Sequence, residues 1–388
     1  MYFTHRVHEK DDATQTYLSL LVCETPENVR TTDRMLYGSA DTVTFKTQTI
    51  PEGYNNLFDV EKASDKLNEL LDLAHETLIG DPMTWYKHYT IPKKSGGERP
   101  IDEPCEALMI YLRKLEEVLR KEFFAMYHNS AYAYVKYRNT LKCINQHKDG
   151  NMFLKTDFHN FFGSTTLDLT MKILPKLYPF NIFCSSAKRT ALLCEVLSYA
   201  FLNDGLPQGT PISPMLTNLI MIPFDYTLKY LCKVLRVTYT RYADDCLFSC
   251  KYQINGNDFK RMIVMKIYNT LKAFDYPYTL NNKKTRVGSI KGKNWNLGLM
   301  LNGSHNITIG HEAKRRFKAD VYRLYMDYWK ERIPLSWLNS FEGRYHYYRY
   351  IEPDYVDRIT RRIQYKTRHW STSVKGVLAF AKHNPGHE

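Results

Sequence analysis

Asp244 and Asp245 stand side by side within residues 237–250, a run of strand-like composition that Ala243-Asp244-Asp245 interrupts as the tip of a hairpin would. Adjacent carboxylates repel, and burying them bare is costly. A divalent cation removes that cost, and magnesium prefers hard oxygens from one or two carboxylates together with substrate phosphates. A third carboxylate, Asp157, ends the apolar strand-like run 152–158. With the two strands as neighbours, three acids converge on one rim. That is what two-metal phosphoryl transfer requires: one ion activates a hydroxyl, and the other holds a triphosphate and the leaving pyrophosphate. An Asp-Asp pair alone in a basic protein is most often a solvated turn, so its surroundings must decide.

The chain has 388 residues, enough for two or three lobes, and at 44 % hydrophobic it can build a sizeable core. Its net charge of +13 points to an anionic partner, nucleic acid first, and 14 % aromatic content suits stacking on bases. The charge is uneven. Residues 1–60 carry 5 Lys/Arg against 9 Asp/Glu, so the basic surface lies beyond them. Eight cysteines form no CxxC pair, which excludes a zinc ribbon and reads as reduced thiols. Met1-Tyr2-Phe3 leads into charged residues rather than a signal peptide, and no apolar run is long enough to span a membrane. A cytoplasmic protein is the expectation.

The carboxylates need elements to hold them. Residues 1–58 read as an N-terminal extension. Val60, Ala63, Leu67, Leu70, Leu71 and Ala74 recur at helical spacing, and that helix ends near Gly80-Asp81-Pro82. A strand over 85–91 runs into the basic turn Pro92-Lys93-Lys94-Ser95-Gly96-Gly97-Glu98-Arg99-Pro100, and Ile101 restarts an extended stretch. Leu108, Leu112, Leu115, Val118 and Leu119 mark a second amphipathic helix. Residues 166–202 are mostly helical, with breaks at Pro175 and Pro179. The loop 205–214 opens a helix to about 235. From Glu312 the pattern changes: Phe317, Val321, Leu324, Tyr325, Tyr328 and Trp329 share a helical face, so a boundary falls near Gly310. The expected division is 1–58, 59–310 and 311–388. The last part carries 16 Lys/Arg against 9 Asp/Glu.

Three segments resemble reverse transcriptases, in that family's order. Thr240-Arg241-Tyr242-Ala243-Asp244-Asp245 resembles the YxDD motif. Leu154-Lys155-Thr156-Asp157-Phe158-His159-Asn160-Phe161-Phe162 is similar to the first catalytic motif. Gly205-Leu206-Pro207-Gln208-Gly209-Thr210-Pro211-Ile212-Ser213-Pro214 is similar to the GxPQGxxxSP loop. Residues 91–100 resemble a bacterial fingers loop, Asn282-Lys283-Lys284-Thr285 a lysine motif, and Trp295-Asn296-Leu297-Gly298-Leu299 the primer-gripping segment. The resemblance spans about 85–365. It implies an α+β right-hand polymerase fold: fingers and palm of antiparallel sheet with helices, then a helical thumb.

It also implies roles. Asp157, Asp244, Asp245 and the Phe158 carbonyl would hold two Mg2+ ions, with Mn2+ an alternative. Lys284 would serve the pyrophosphate, although Lys283 beside it is a rival. Phe162 would gate the sugar against a 2′-hydroxyl while Phe161 packs in the core. Gln208 would contact the nucleotide or template, and Gly209 lets backbone approach it. Lys93 and Arg99 would meet the triphosphate. Pro211, Ser213 and Pro214 set the loop and the helix start. His147, in Asn145-Gln146-His147, reads as a surface histidine. Arg344, Tyr345, Tyr347, Tyr348, Arg349, Tyr350, Arg358, Arg361 and Arg362 interleave charge and rings, giving a thumb with a packed face and a basic, nucleic-acid-tracking face.

The lineage implied is the bacterial retron and group II intron-like one, most like its compact defence-associated members (the abortive-infection and unknown groups). The Ser213-Pro214 ending argues against the diversity-generating group. Retrons usually carry Val-Thr-Gly where this chain has Asn296-Leu297-Gly298. The expected partners are an RNA template such as a non-coding RNA, the DNA product, dNTPs, and a protein or second copy through the N-terminal extension. Two alternatives are a retron enzyme making branched RNA–DNA and a non-catalytic RNA-binding scaffold.

Overall fold

The computed structural model describes residues 58–92, 96–292, 294–330, 333–369 and 372–385. The expected 1–58 extension, apart from Phe58, and Lys93 lie outside them. In chain order the elements are α1 (Val60–Thr77), β1 (Tyr86–Pro92), β2 (Glu98–Pro104), α2 (Glu106–Lys121), α3 (Thr140–Asn145), β3 (Met152–Asp157), α4 (Leu167–Ile173), α5 (Phe180–Phe183) and α6 (Ala187–Ser198). Then come α7 (Ser213–Ile220), α8 (Ile222–Val234), β4 (Val237–Tyr242), β5 (Asp245–Cys250), α9 (Gly256–Ala273), β6 (Arg286–Ser289), β7 (Asn294–Asn296), β8 (Leu299–Leu301) and β9 (Ile307–Thr308). Four more helices follow: α10 (Gly310–Asp327), α11 (Leu335–Ile351), α12 (Pro353–Lys366) and α13 (Val374–His383). The α+β class is borne out.

The chain divides into two compact units. In the described part of the first (up to Arg138, with 154–249 and 254–287), α1 starts where Asp59 accepts from the Lys62 N–H. It buries Ala63, Leu67, Leu70 and Ala74, and α2 buries Leu108, Tyr111, Leu112, Leu115 and Leu119. Each leucine so buried is worth about 2 kcal/mol. Phe58, Phe123, Phe180 and Phe183 join rings in the same core. β1 and β2 form an antiparallel hairpin, with Ile91 opposite Arg99. The helix expected from the 205–214 loop is two helices, because Pro223 starts a new turn after Met221. The sheet β4-β5-β3-β6 places β5 beside β3.

The second unit takes in 139–153, 250–253 and 288–388. Helix α10 starts at Gly310, within the long segment 288–388 of this unit. Phe317, Val321, Leu324, Leu338, Phe341, Val356 and Ile363 build its core. Tyr345 and Tyr348 pack on that core, while Tyr347, Tyr350, Arg358, Arg361 and Arg362 are exposed. The rings that pack on the core and the side chains left in solvent are therefore different members of the same segment. Asn296 and Leu299 close a two-residue turn of left-handed Leu297 and Gly298 between β7 and β8. His147 corrects the expectation of a surface histidine: it is 1 % exposed, in the turn after α3 where its N–H donates to the Ile144 carbonyl and its carbonyl accepts from the Gly150 N–H.

Candidate active site

Alternation along β3 sends Phe153, Lys155 and Asp157 to one face and Leu154 and Thr156 to the other. Asp157 ends the strand and is buried. β4 and β5 turn over at Ala243-Asp244, Ala243 having φ 57°. The Phe158 N–H donates to the Asp244 carbonyl at 3.2 Å, tying the turn to the end of β3. The three acids expected to converge are thus carried by neighbouring strands of one sheet.

Their electrostatics differ. Burial pushes the Asp244 carboxyl up to about 6, and the charge of Asp245 beside it adds to the shift. The Asp245 Oδ1 lies 3.1 Å from the Lys155 ammonium. The Asp157 Oδ2 accepts from the Lys284 ammonium at 2.6 Å, and that bond raises the Lys284 pKa. The Asp157 Oδ1 is buried without a hydrogen-bond partner. Lys284 rather than Lys283 meets the acid.

Among the described residues, no group of three or more His, Cys, Asp or Glu side chains is drawn together tightly enough to hold a metal ion. Magnesium needs only one or two protein carboxylates, since waters and substrate phosphates complete its shell. The orphaned oxygen of Asp157, with the crowded charge at Asp244 and Asp245, suits a divalent cation.

The loop 205–214 is fastened on both sides. The Leu206 N–H donates to the Phe162 carbonyl at 3.1 Å, and the Asp102 N–H of β2 donates to the Gln208 carbonyl at 2.8 Å. Gly209 has φ 126°, and a Cβ there would lie 2.9 Å from the Asp102 carbonyl, so only glycine fits. A Cβ on Gly205 would lie 2.8 Å from the Gly163 Cα. Two backbones therefore meet where the Phe162 loop passes the Gln208 loop. Phe162 is half-buried, whereas Phe161 is buried against Phe158 and Tyr278. The Phe158 ring is likewise buried, also touching Phe224. Arg99 is exposed on β2.

Three features escape the sequence reading. Lys155 could have been found, being two residues before Asp157 on the same strand face. Tyr134 has φ 61° and keeps over half its surface in solvent, yet partial desolvation and then the charge of Asp244 raise its phenol, while Arg99 lowers it. Arg241 is wholly buried against Asp225. Its signal was a charge sharing a strand face with Val237 and Tyr239.

Known proteins resemble this chain. The model of the family described as reverse transcriptase (RNA-dependent DNA polymerase) matches residues 91–318. The Retron Ec83 reverse transcriptase of Escherichia coli is 29 % identical over 315 residues, covering 78 % of this chain and 94 % of that protein. The Retron Ec86 reverse transcriptase of Escherichia coli is 27 % identical over 280 residues, covering 70 % and 78 %. Among solved structures, a telomerase from Candida albicans with a fragment of telomeric RNA aligns with a TM-score of 0.42 at 14 % identity. That alignment covers 77 % of this chain and 63 % of that one.

Proposed function

The chain belongs to the reverse transcriptase (RNA-dependent DNA polymerase) family, is a retron-like RNA-directed DNA polymerase with the family's right-hand fold, and we propose that it extends a primer along an RNA template at Asp157, Asp244 and Asp245. The observation that carries this assignment is the buried Asp157, with one oxygen orphaned and the other on Lys284, on the strand beside the Asp244-Asp245 tip. Those three acids and the Phe158 carbonyl would hold two magnesium ions, with manganese as a substitute. Bound there, the ions would activate the primer 3′-hydroxyl and neutralise charge on the transferred phosphate and leaving pyrophosphate.

The chain's own groups do the rest. Lys284, 61 % exposed at its side chain, leaves Asp157 and turns its ammonium to the pyrophosphate. Arg99 and Lys93 take triphosphate oxygens. Gln208 and Gly209 line the nucleotide from the fastened loop. The Phe162 ring lies under the sugar and rejects a 2′-hydroxyl by bulk.

With template RNA, primer, dNTPs and magnesium, the purified protein should extend the primer, and Asp244→Ala with Asp245→Ala should abolish extension. Activity surviving that double change would overturn the assignment. Phe162→Ala should raise ribonucleotide incorporation roughly 10- to 100-fold relative to deoxynucleotides. Wild-type preference for NTPs would refute the gate.

The template we assign is a dedicated non-coding RNA, with synthesis serving anti-phage defence. A second reading, a retron enzyme making branched RNA–DNA, is favoured by similarity running over 94 % of the Retron Ec83 enzyme. Sequencing nucleic acid that co-purifies with the protein separates the two: a DNA joined to RNA supports the retron reading, and unjoined DNA supports the first. A protein or second copy docks through residues 1–58. Deleting them should change the assembly mass, and an unchanged mass would sink that role.

A further inference from the structure

Arg241 carries a guanidinium with no exposure at all, three residues before Asp244. Nε donates to the Asp225 Oδ1 at 2.9 Å, and Nη2 to Oδ2 at 2.7 Å. The remaining nitrogen, Nη1, donates to the Ala243 carbonyl at 3.0 Å and to the Asn218 Oδ1 at 3.1 Å. Asn218 passes the connection on, its Nδ2 donating to the Ala133 carbonyl at 2.9 Å. The Arg241 backbone joins the same segment: its N–H donates to the Ser130 carbonyl and its carbonyl accepts from the Tyr132 N–H.

A buried ion pair is a poor source of stability, because apolar residues of like volume often do as well. What it supplies here is geometry. Ala243 is left-handed, a conformation alanine disfavours, and its carbonyl is held by a donor that cannot rotate away. Asn218 stands on α7, whose first residue, Ser213, donates to the Pro207 carbonyl of the Gln208 loop and exchanges a hydrogen bond with Thr210. One helix therefore carries both the nucleotide loop and the side chain that steadies Arg241.

We propose that Arg241, with Asn218 as its relay, is a positioning residue that locks the Ala243-Asp244 turn in register with the Gln208 loop and the Ala133-Tyr134 segment. The inference rests on the polymerase reading of the carboxylates. It makes the turn's shape a property of a buried network rather than of the hairpin alone.

The test uses the full chain and three variants. Arg241→Lys keeps a positive charge beside Asp225, but its single nitrogen cannot reach Asp225, Asn218 and Ala243 together. Asn218→Ala leaves the fork to Asp225 whole and removes the relay. Tyr111→Phe, which deletes a buried hydrogen bond to the Val196 carbonyl elsewhere in the unit, is the control for plain loss of stability. Primer extension at saturating substrates, the magnesium concentration for half-maximal rate, primer–template affinity without metal, and the melting temperature are read on each. Arg241→Lys and Asn218→Ala should lower kcat roughly 10- to 100-fold and raise the magnesium requirement, with primer–template affinity unchanged. The control should melt lower and keep its kcat. The inference falls if either variant folds and keeps wild-type kcat and magnesium dependence, or if its kcat loss matches the control's at equal melting shift. A wild-type protein that extends no primer sinks the polymerase reading instead.

Discussion

Two of the cation–carboxylate pairs in the first unit behave oppositely. Arg241–Asp225 has no exposure on either side, forked geometry, and further acceptors at Asn218 and Ala243. Burial pulls the guanidinium down, yet the charge and hydrogen bonds of Asp225 more than offset this and leave it above the usual arginine value. Lys284–Asp157 joins a buried acid to a mostly exposed amine through one bond, and the acid keeps an orphaned oxygen. The first pair is a permanent part of the scaffold. The second leaves its amine open to solvent, as the proposed hand-over of Asp157 to a metal ion requires. On the proposed reading, the loose pair serves chemistry and the tight one fixes the backbone around it.

The largest effect that sharpens this contrast is on Asp225. Asp225→Ala leaves Arg241 buried and unpaired and should cost about 3–5 kcal/mol, measured by denaturant unfolding. A loss below about 1 kcal/mol would break the contrast. Lys284→Met is the counterpart. Its pair is exposed on the lysine side, so unfolding should change by less than about 1 kcal/mol. Primer extension should nevertheless slow roughly 100-fold. Equal losses of stability in the two variants would make the pairs alike.

The smallest effect concerns His128, which feels both Asp225 and Arg241. Burial, the main cause, lowers its pKa from 6.5 to about 4. The unfolded chain therefore takes up the proton first. The contribution of neutral His128 is fully present above about pH 6.5 and is lost as pH falls toward 4. His128→Gln should flatten the fall in stability across that window, with wild type and variant compared by thermal unfolding. Parallel curves would show that burial leaves His128 free to charge.

Much of this was legible in the sequence where periodicity speaks. The helices at 60–77 and 106–121, the strand ending in Asp157 and the hairpin bearing Asp244 and Asp245 follow from apolar spacing and turn residues. Helix α9 (Gly256–Ala273) carries weaker signals, the Asn255 cap and the apolar Phe259, Met262, Ile263 and Ile267. The β7–β9 strands are two or three residues long, too short for alternation to register. Pairings across distance were illegible: Lys284 meets Asp157 over 127 residues. Arg241 was hidden by its charge, since a lone arginine in a motif reads as solvated until its acid, on another element, is known. His147 was misjudged for a similar reason, because its cover comes from the fold rather than from its neighbours in sequence.

The meeting of Gly163 and Gly205 bears on how such an enzyme can be re-engineered. The Phe162 carbonyl is pinned to the Leu206 N–H, and a side chain on Gly205 would strike the Gly163 backbone of the facing loop. A library aimed at new sugar tolerance gains nothing from randomising the loop backbone, since most members would push the two loops apart. On the proposed sugar-gate role of Phe162, the useful diversity lies in the ring at position 162 itself, whose volume can be graded from phenylalanine downward while its anchor to Leu206 stays in place.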